Sequence, residues 1–310
     1  MQVLDALNHS FGLAGELRFA AGDGGLPVAE ITNAHACAAV SLHGGHVLAY
    51  QPTGAKPVLW VSERSWHEPL RPIRGGIPIC WPWFGAHPDK ADLPSHGLAR
   101  VSLWNVRSTA TIENGTTELV LELGSKAIEG VAPFPFELSL RILVGETLRV
   151  ELTTRNLSDK PVTFTQALHT YFSVGDVRHV TVGGFDGCPF TDTVPDGSKK
   201  GLQRGPVSID AETDLVFLDC LGGAWVDDPV LGRRIRIRKS GSNSAVVWNP
   251  WKEKSARMPD FGDEEYSDML CVETTNAPGD EACIAVGQTH TLAAEIKLEP
   301  LDDSPMKTTK

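Results

Sequence analysis

The sequence lacks the long apolar segment that a membrane-spanning helix requires. No run approaches the roughly 20 apolar residues that cross a bilayer. The opening residues, Met1 to Asp5, have neither the basic nor the apolar region of a secretion signal. We therefore expect a cytoplasmic protein that has no membrane partner.

Positive charge is scarce as well. The 310 residues include 28 Lys plus Arg against 39 Asp plus Glu, a formal net charge of −11 at pH 7. Such a chain repels phosphate unless it carries a local basic patch, so we expect no nucleic-acid partner, and a phosphorylated substrate would need a cluster of arginines. With 41% apolar residues, the composition predicts a globular protein and excludes disorder as its main state.

Motifs for common cofactors are missing. The sequence contains no Walker loop, no Gly-x-Gly-x-x-Gly opening a helix and no Gly-x-Ser-x-Gly elbow. His43 and His46, with His35 upstream, suggest a metal site. Residues three apart on a strand face opposite sides, however, and no Cys or carboxylate completes a zinc spacing. We therefore expect neither a metal nor an organic cofactor.

Cysteine pairs of the Cys-x-x-Cys type are also absent. An even number of cysteines permits three disulfides, but a long chain without a secretion signal favours buried, reduced thiols. We expect all six to be reduced: Cys37, Cys80, Cys188, Cys220, Cys271 and Cys283.

Short alternating segments dominate what is present. Apolar and polar residues alternate over 136–142 and 148–153, with Gly145 and Glu146 between them, which predicts a β-hairpin. Similar segments occupy 101–106, 118–123, 161–165 and 234–238, and no apolar stripe of helical period competes with them. The pattern predicts an all-β sandwich or barrel, in one domain over 1–310, with a polar tail from about residue 300.

Arginine and aromatic residues stand out in the segment 71–85. Arg74 precedes Gly75 and Gly76, which would let a ligand approach the backbone, and Arg is suited to capture phosphate or carboxylate. The prolines and aromatic residues that follow predict a rigid aromatic wall. The alternative is a connection whose tryptophans cap the core, with Arg74 in solvent.

A second candidate segment is 94–100, where His96 and Arg100 lie four residues apart. If this segment leads a strand through 101–104, both side chains point to one face and reach a cleft. The alternative is a hydrogen-bonded structural histidine.

His169 and Glu273 each stand alone in an apolar stretch. Burying either ion without a partner is costly, so each is expected to have a partner or a function. If they face one cleft, they provide the acid and the base of a proton-transfer reaction. That they face each other is a hypothesis.

Three further features are ambiguous. Asp214, at the start of an apolar strand, either holds sugar hydroxyls or closes a turn. The 248–251 segment, with Trp248, offers either a flat face for a sugar ring or core packing. The acidic run 260–268 is expected to be a solvated loop.

Taken together, these segments resemble the hexose-6-phosphate mutarotases, or glucose-6-phosphate 1-epimerases, of the aldose 1-epimerase superfamily. The resemblance extends over about residues 30–295 and rests on segments in the family order: 74–78 (RGGIP), 81–85 (WPWFG), 96–100 (HGLAR), 168–172 (LHTYF), 247–251 (VWNPW) and 272–273 (VE). It implies a single antiparallel β-supersandwich that interconverts α and β anomers of a small sugar phosphate without a cofactor. Nothing in the sequence demands more than a monomer.

The resemblance also implies roles for individual residues. His169 is the implied general acid and Glu273 the implied general base. Arg74 and Arg100 are the implied phosphate ligands, and His96 and Asp214 contact the sugar. The position before the His-Gly pair often carries Gln in the family; here it is the shorter Ser95.

Three rival functions differ in what they require. An epimerase for free aldoses would use the same fold without needing the 6-phosphate. A non-catalytic carbohydrate-binding module would use the aromatic wall and dispense with His169 and Glu273. A cupin-like metal enzyme would require metal ligands, which the histidine spacing does not provide.

Overall fold

The computed structural model describes residues 2–128, 132–194 and 198–301. Within these ranges most regular structure is β-strand. The strands are β1 (Leu17–Ala21), β2 (Pro27–Thr32), β3 (Ala36–Ser41), β4 (His46–Pro52), β5 (Ile79–Cys80), β6 (Asn105–Thr111), β7 (Thr117–Gly124), β8 (Phe136–Val144), β9 (Thr147–Asn156), β10 (Val162–Phe164), β11 (Gln166–Leu168), β12 (Tyr171–Ser173), β13 (Thr181–Gly183), β14 (Pro189–Asp192), β15 (Lys199–Leu202), β16 (Val207–Ser208), β17 (Thr213–Phe217), β18 (Ala224–Asp228), β19 (Arg233–Ser240), β20 (Ser244–Asn249), β21 (Met269–Asn276), β22 (Ala282–Ile284) and β23 (Thr289–Pro300).

Helices are few and short within the described ranges. Two are α-helices, α1 (Gln2–Phe11) and α2 (Trp251–Ser255). The others are 3-10 helices at Asp23–Gly25, Ala99–Val101, Glu113–Gly115, Ser125–Ile128, Val177–His179 and Glu265–Asp268. In the part of the chain that the structure describes, no helix is both long and apolar enough to cross a membrane.

Strand pairing is antiparallel throughout the named sheets. A nine-stranded sheet has the order β16-β13-β18-β19-β23-β9-β8-β7-β6. An eight-stranded sheet runs β15-β14-β17-β20-β21-β11-β5, with β12 also paired to β21. A four-stranded sheet (β1-β2-β3-β4) and the β10-β22 pair complete the set. The predicted all-β class is confirmed.

The predicted hairpin forms part of the nine-stranded sheet, beside its central strand β23. β8 and β9 pair from Phe136 with Asn156 to Val144 with Leu148, and the apolar residues of both strands are buried on one side. One hydrophobic cluster joins these side chains to Leu168 and Val247 of the eight-stranded sheet. The two large sheets therefore share a core, which is the layered arrangement of a β-sandwich.

Two expectations from the sequence need correction. Residues 101–104 do not form a strand: a 3-10 helix ends at Val101 and β6 begins only at Asn105. Pro300 belongs to β23 and pairs with Arg233, so the polar tail does not begin there, and residues 302–310 lie outside the described residues. The chain turns tightly at His96 and Gly97, both at positive φ, which explains why no strand extends through this segment.

The expectation of six reduced cysteines is wrong for one pair. The structure joins Cys188 and Cys220 by a disulfide, and their Cα atoms are 5.8 Å apart, within the range that a disulfide spans. Spacing along the chain gave no sign of this pair, because the fold alone brings the start of β14 and the end of β17 together. The other four cysteines are free thiols, of which Cys80 and Cys271 are buried.

Candidate active site

His169 and Glu273 face each other across two paired strands. β11 pairs Leu168 with Thr274, and β12 pairs Tyr171 with Cys271. The two pairs have the same register, since three residues along one strand match three residues back along the other. Residue 169 therefore lies opposite residue 273, in the short break between β11 and β12. Directly opposed residues of antiparallel strands point to the same face, so the hypothesis of a shared cleft has a structural basis.

The two side chains are in direct contact. Nε2 of His169 lies 3.3 Å from Oε1 of Glu273, and both side chains are almost fully buried. Neither Nδ1 of His169 nor Oε2 of Glu273 has a hydrogen-bond partner among the described residues. The imidazole stacks on the Tyr171 ring, with centroids 4.9 Å apart and planes at 11°. This packing fixes the orientation of the imidazole and leaves one polar atom on each group available.

Burial disfavours the charged form of both groups. It lowers the pKa of His169 well below 6.5, and the positive charges of Arg100 and Arg74 lower it further. Burial raises the pKa of Glu273 well above 4.5, with a further increase from the nearby Asp214 carboxyl. The pair therefore holds one proton over a wide pH range. Two titratable groups whose pKa values are shifted in opposite directions can exchange a proton with a bound substrate.

A cavity of about 540 Å³ opens over this pair. Five of the seven predicted site residues line it: Arg74, His96, His169, Asp214 and Glu273. Ser95 and Arg100 are not among the lining residues. Further lining residues are Phe84, Gly85, Tyr171, Thr193, Val216, Val246, Trp248, Lys254, Met258 and Pro278. A larger open groove of about 830 Å³ on the nine-stranded sheet contains none of the predicted residues.

Arg74 is held in place by a carboxylate and a phenol. Its Nε and Nη2 donate to Oδ2 of Asp260 at 3.1 and 3.0 Å, and its Nη1 donates to the Tyr171 hydroxyl at 3.1 Å. Asp260 is buried, so the acidic run 260–268 is not a solvated loop at its first residue. This ion pair neutralises Arg74 and aims its guanidinium at the cavity.

Removing Arg74 should therefore destabilise the fold. Arg74→Ala leaves the Asp260 carboxylate buried without its cation, and breaking one side of a buried ion pair costs about 3–5 kcal/mol. We expect urea unfolding to show a loss of that order. The double variant Arg74→Ala, Asp260→Asn should recover most of it, because no uncompensated charge remains. An equal loss in the single and double variants would show that packing, rather than charge, sets the cost.

Arg100 is a buried cation without a carboxylate partner. Its Nη2 donates to the Ser95 carbonyl oxygen at 2.7 Å, its Nε has no partner, and no carboxylate of the described chain lies within ion-pair distance. Burial lowers the pKa of the guanidinium, and Arg74 lowers it further. A buried charge of this kind favours an anionic ligand nearby.

His96 is held as a neutral imidazole at the cavity wall. Its backbone N–H donates to the Gly85 carbonyl oxygen at 2.6 Å, and its Nδ1 accepts from the Gly85 N–H at 3.3 Å. Burial, with the charges of Arg100 and Arg74, lowers the pKa of His96 to about 3. Ser95 is exposed and contributes its carbonyl oxygen to Arg100. Ser95 therefore supports the arginine, whereas His96 can act on a ligand as a neutral donor or acceptor.

Asp214 and Lys254 occupy another part of the cavity. Asp214 lies on β17 opposite Trp248 of β20, and burial raises its pKa while Thr193 and Lys254 oppose that shift. Nζ of Lys254 contacts Oε1 of Glu212 at 2.8 Å and lies 5.9 Å from the Trp248 ring centroid. For both Asp214 and Trp248, this geometry agrees with the interpretation that places the residue at a ligand site. Lys254 and Asp260 were not predicted, because each stands among ordinary surface charges in the sequence.

The aromatic wall and the glycines have other roles than predicted. Trp81 is fully buried, packs on Phe136 and donates from Nε1 to Thr154, so within 81–84 only Phe84 lines the cavity. Gly75 and Gly76 have φ of 119° and 60°, and an added Cβ would lie 2.4 and 2.2 Å from neighbouring backbone carbonyl oxygens. The glycines allow close contact between backbone segments rather than the approach of a ligand.

The histidines considered for a metal each have a different hydrogen-bond partner in the structure. Nε2 of each bonds a different backbone carbonyl: His35 that of Asn114, His43 that of Arg71 and His46 that of Gly75. Among the described residues, one group has metal-binding side chains close together. It consists of His169, Cys271 and Glu273, whose ligand atoms lie within 4.8 Å of one another.

Solved structures of mutarotases share this fold. A structure titled as a "putative mutarotase" from Salmonella typhimurium superposes with a TM-score of 0.86 and 31% identity, covering 96% of this chain and 99% of the other. A galactose mutarotase-like protein from Clostridium acetobutylicum, 14% identical, has a TM-score of 0.70 and covers 92% of this chain and 98% of its own. That second likeness shows the fold alone. The fold is thus that of the galactose mutarotase-like class.

The sequence comparison identifies the family. Residues 27–298 match the family model described as aldose 1-epimerase, and the chain belongs to this family. Two relatives, both named "Putative glucose-6-phosphate 1-epimerase", come from Salmonella typhimurium and Escherichia coli K12. They are 36% and 35% identical over 241 residues, which is 77% of this chain and 80% of each relative. The resemblance drawn from the sequence motifs is confirmed.

Proposed function

We propose that this protein is an isomerase that interconverts the α and β anomers of a hexose 6-phosphate, with glucose 6-phosphate as the first candidate. The observation that carries the proposal is the direct contact between His169 and Glu273 at a cavity next to two arginines. The names of the sequence relatives support the choice of substrate.

The acid–base pair can open and close the sugar ring. The single proton of the pair, which burial places on Glu273, first passes to His169 across their 3.3 Å contact. Glu273 then removes the proton from the C1 hydroxyl, the bond between C1 and the ring oxygen breaks, and His169 protonates that oxygen. Rotation about C1–C2 presents the other carbonyl face, and the reversed transfers close the ring to the opposite anomer. The pair holds one proton before and after each step, so the scheme requires neither a metal nor an organic cofactor. Each assisted transfer contributes roughly 10²–10⁴-fold.

The arginines favour a phosphorylated substrate. Arg74 is already neutralised by Asp260, so the uncompensated positive charge near the cavity is that of Arg100. A phosphate group supplies the charge that Arg100 lacks, whereas the hydroxyl of a free sugar does not. Asp214 and His96 remain for the sugar hydroxyls, as acceptor and as neutral partner.

We also propose that the protein is cytoplasmic. Because one chain supplies every residue of the site, we propose that it acts as a monomer.

NMR magnetisation exchange at C1 of glucose 6-phosphate tests the proposal, with free glucose and an enzyme-free sample as controls. We expect selective acceleration for the phosphorylated sugar. Acceleration only for free glucose would indicate an aldose epimerase. Saturable binding without anomer exchange would indicate a carbohydrate-binding module and overturn the proposal.

The pH dependence of kcat should be bell-shaped, because the pair must hold a single proton. At low pH a second proton binds, and the lowered pKa of His169 places this loss of activity below 6.5. At high pH the proton is lost, and the raised pKa of Glu273 places that loss well above 4.5. The measurement is anomer exchange at saturating substrate from pH 4 to 10. A flat wild-type profile would contradict the shared-proton mechanism.

A further inference from the structure

Cys271 lies on the same strand face as the acid–base pair. It is two residues before Glu273 on β21, and side chains two apart on a strand point to the same face. Its partners in register are Tyr171 on β12 and Trp248 on β20, and both of these rings line the cavity. The thiol is fully buried beneath them. The fold therefore places a thiol, an imidazole and a carboxyl group in one row.

The spacing of these three groups is close to that of a tetrahedral metal site. Zinc bonds nitrogen and oxygen at 2.0–2.1 Å, which gives ligand atoms about 3.3–3.4 Å apart at the tetrahedral angle. Nε2 of His169 and Oε1 of Glu273 are 3.3 Å apart. The ligand atoms of all three residues lie within 4.8 Å of one another, and a nitrogen–sulfur edge of about 3.6 Å requires only a small side-chain rotation.

Neither side chain would have to give up a hydrogen bond on its other side to bind an ion. The buried Nδ1 of His169 and Oε2 of Glu273 have no hydrogen-bond partner among the described residues. The cavity provides an entry path, and it leaves the fourth coordination position open to water or a sugar hydroxyl. A thiolate with an imidazole selects a thiophilic ion over magnesium or calcium.

We propose that His169, Cys271 and Glu273 form an inhibitory site for a thiophilic divalent cation, with Zn²⁺ as the representative ion. The thiol releases its proton on forming the metal–sulfur bond, and the His169–Glu273 pair releases the single proton that it holds. One Zn²⁺ thus displaces two protons, and the three protein ligands form a neutral complex with it. The bound metal occupies both groups that move protons in the proposed reaction, and catalysis stops.

Metal binding can be tested without any assay of activity. Isothermal titration calorimetry with Zn²⁺ should show one site in the wild type, weakened at least roughly tenfold in Cys271→Ala and Cys271→Ser. Co²⁺ should give a thiolate charge-transfer band in the wild type that both variants lack. Cys283→Ser, which alters an exposed thiol, is the matched control and should leave the band intact. Thermal unfolding of each variant confirms that it is folded.

Inhibition is tested separately, and this arm rests on the proposed function. Anomer exchange by the wild type should fall with added Zn²⁺ and return with EDTA. Cys271→Ala should keep the activity measured without metal and require at least tenfold more Zn²⁺ for inhibition. Loss of the Co²⁺ band in Cys283→Ser but not in Cys271→Ala would overturn the site. An absence of exchange activity alongside intact metal binding would reject the proposed function and leave the site standing.

Discussion

Glu273→Gln should lower the rate of anomer exchange by roughly 10²–10⁴-fold while sugar-phosphate binding is largely retained. The amide has the shape of the carboxyl group, so the packing against His169 and Val246 is preserved. It cannot accept the C1 hydroxyl proton, however, and the reaction loses its base. The loss should therefore appear in kcat rather than in the dissociation constant of glucose 6-phosphate.

The measurement pairs NMR exchange rates with calorimetric binding of glucose 6-phosphate. Glu281→Gln, which changes an exposed carboxylate on the loop before β22, is the control and should retain wild-type activity. Unaltered exchange in Glu273→Gln would remove Glu273 from the mechanism. Loss of binding together with activity would assign it to substrate positioning.

The same substitution should increase stability at alkaline pH. Because the folded-state pKa of Glu273 is raised above its unfolded value, its contribution to stability is fully present below the unfolded pKa and is lost as pH rises through the folded pKa. Gln carries no such charge. We expect the melting temperature of Glu273→Gln to exceed that of the wild type increasingly as pH rises. A difference that does not vary with pH would contradict the burial of an ionisable carboxyl group.

The fold was predictable because its information is local. Alternating segments at 118–123, 136–142 and 148–153 became β7, β8 and β9 with their apolar residues inside. At 101–104 the alternation was misleading. The turn at His96 and Gly97, at positive φ, depends on contacts with Gly85 and Trp81 that lie elsewhere in the sequence.

The site was predictable only in part, since its geometry depends on register. His169 and Glu273 each stood out as a single polar residue in an apolar stretch, but their opposition follows from the pairing of β11 and β12 with β21. Asp260 gave no signal, because an acidic run looks the same whether or not its first carboxylate enters an ion pair. Cys271 was equally inconspicuous, since a buried thiol is ordinary core until a strand pair places it beside an imidazole.

Arg100→Met should separate the phosphorylated substrate from the free sugar. Two opposite unit charges about 6 Å apart attract by about 3 kcal/mol at an effective dielectric constant near 20, so Arg100 can attract a phosphate without lining the cavity. We expect kcat/KM for glucose 6-phosphate to fall at least about 30-fold, the equivalent of ~2 kcal/mol. For free glucose the change in kcat/KM should stay within about threefold, because this sugar carries no phosphate for Arg100 to attract.

The pH profile of Arg100→Met supplies an independent test of the same charge. Arg100 is among the causes that lower the pKa of His169, after burial and His96. Removing the cation should let that pKa rise, so the acid limb of kcat moves to higher pH. Arg64→Met, which removes an exposed arginine, is the control and should change neither the substrate preference nor the limb. If kcat/KM fell equally for both sugars and the acid limb did not move, Arg100 would act only by holding the Ser95 carbonyl. The preference for phosphate would then be assigned to Arg74.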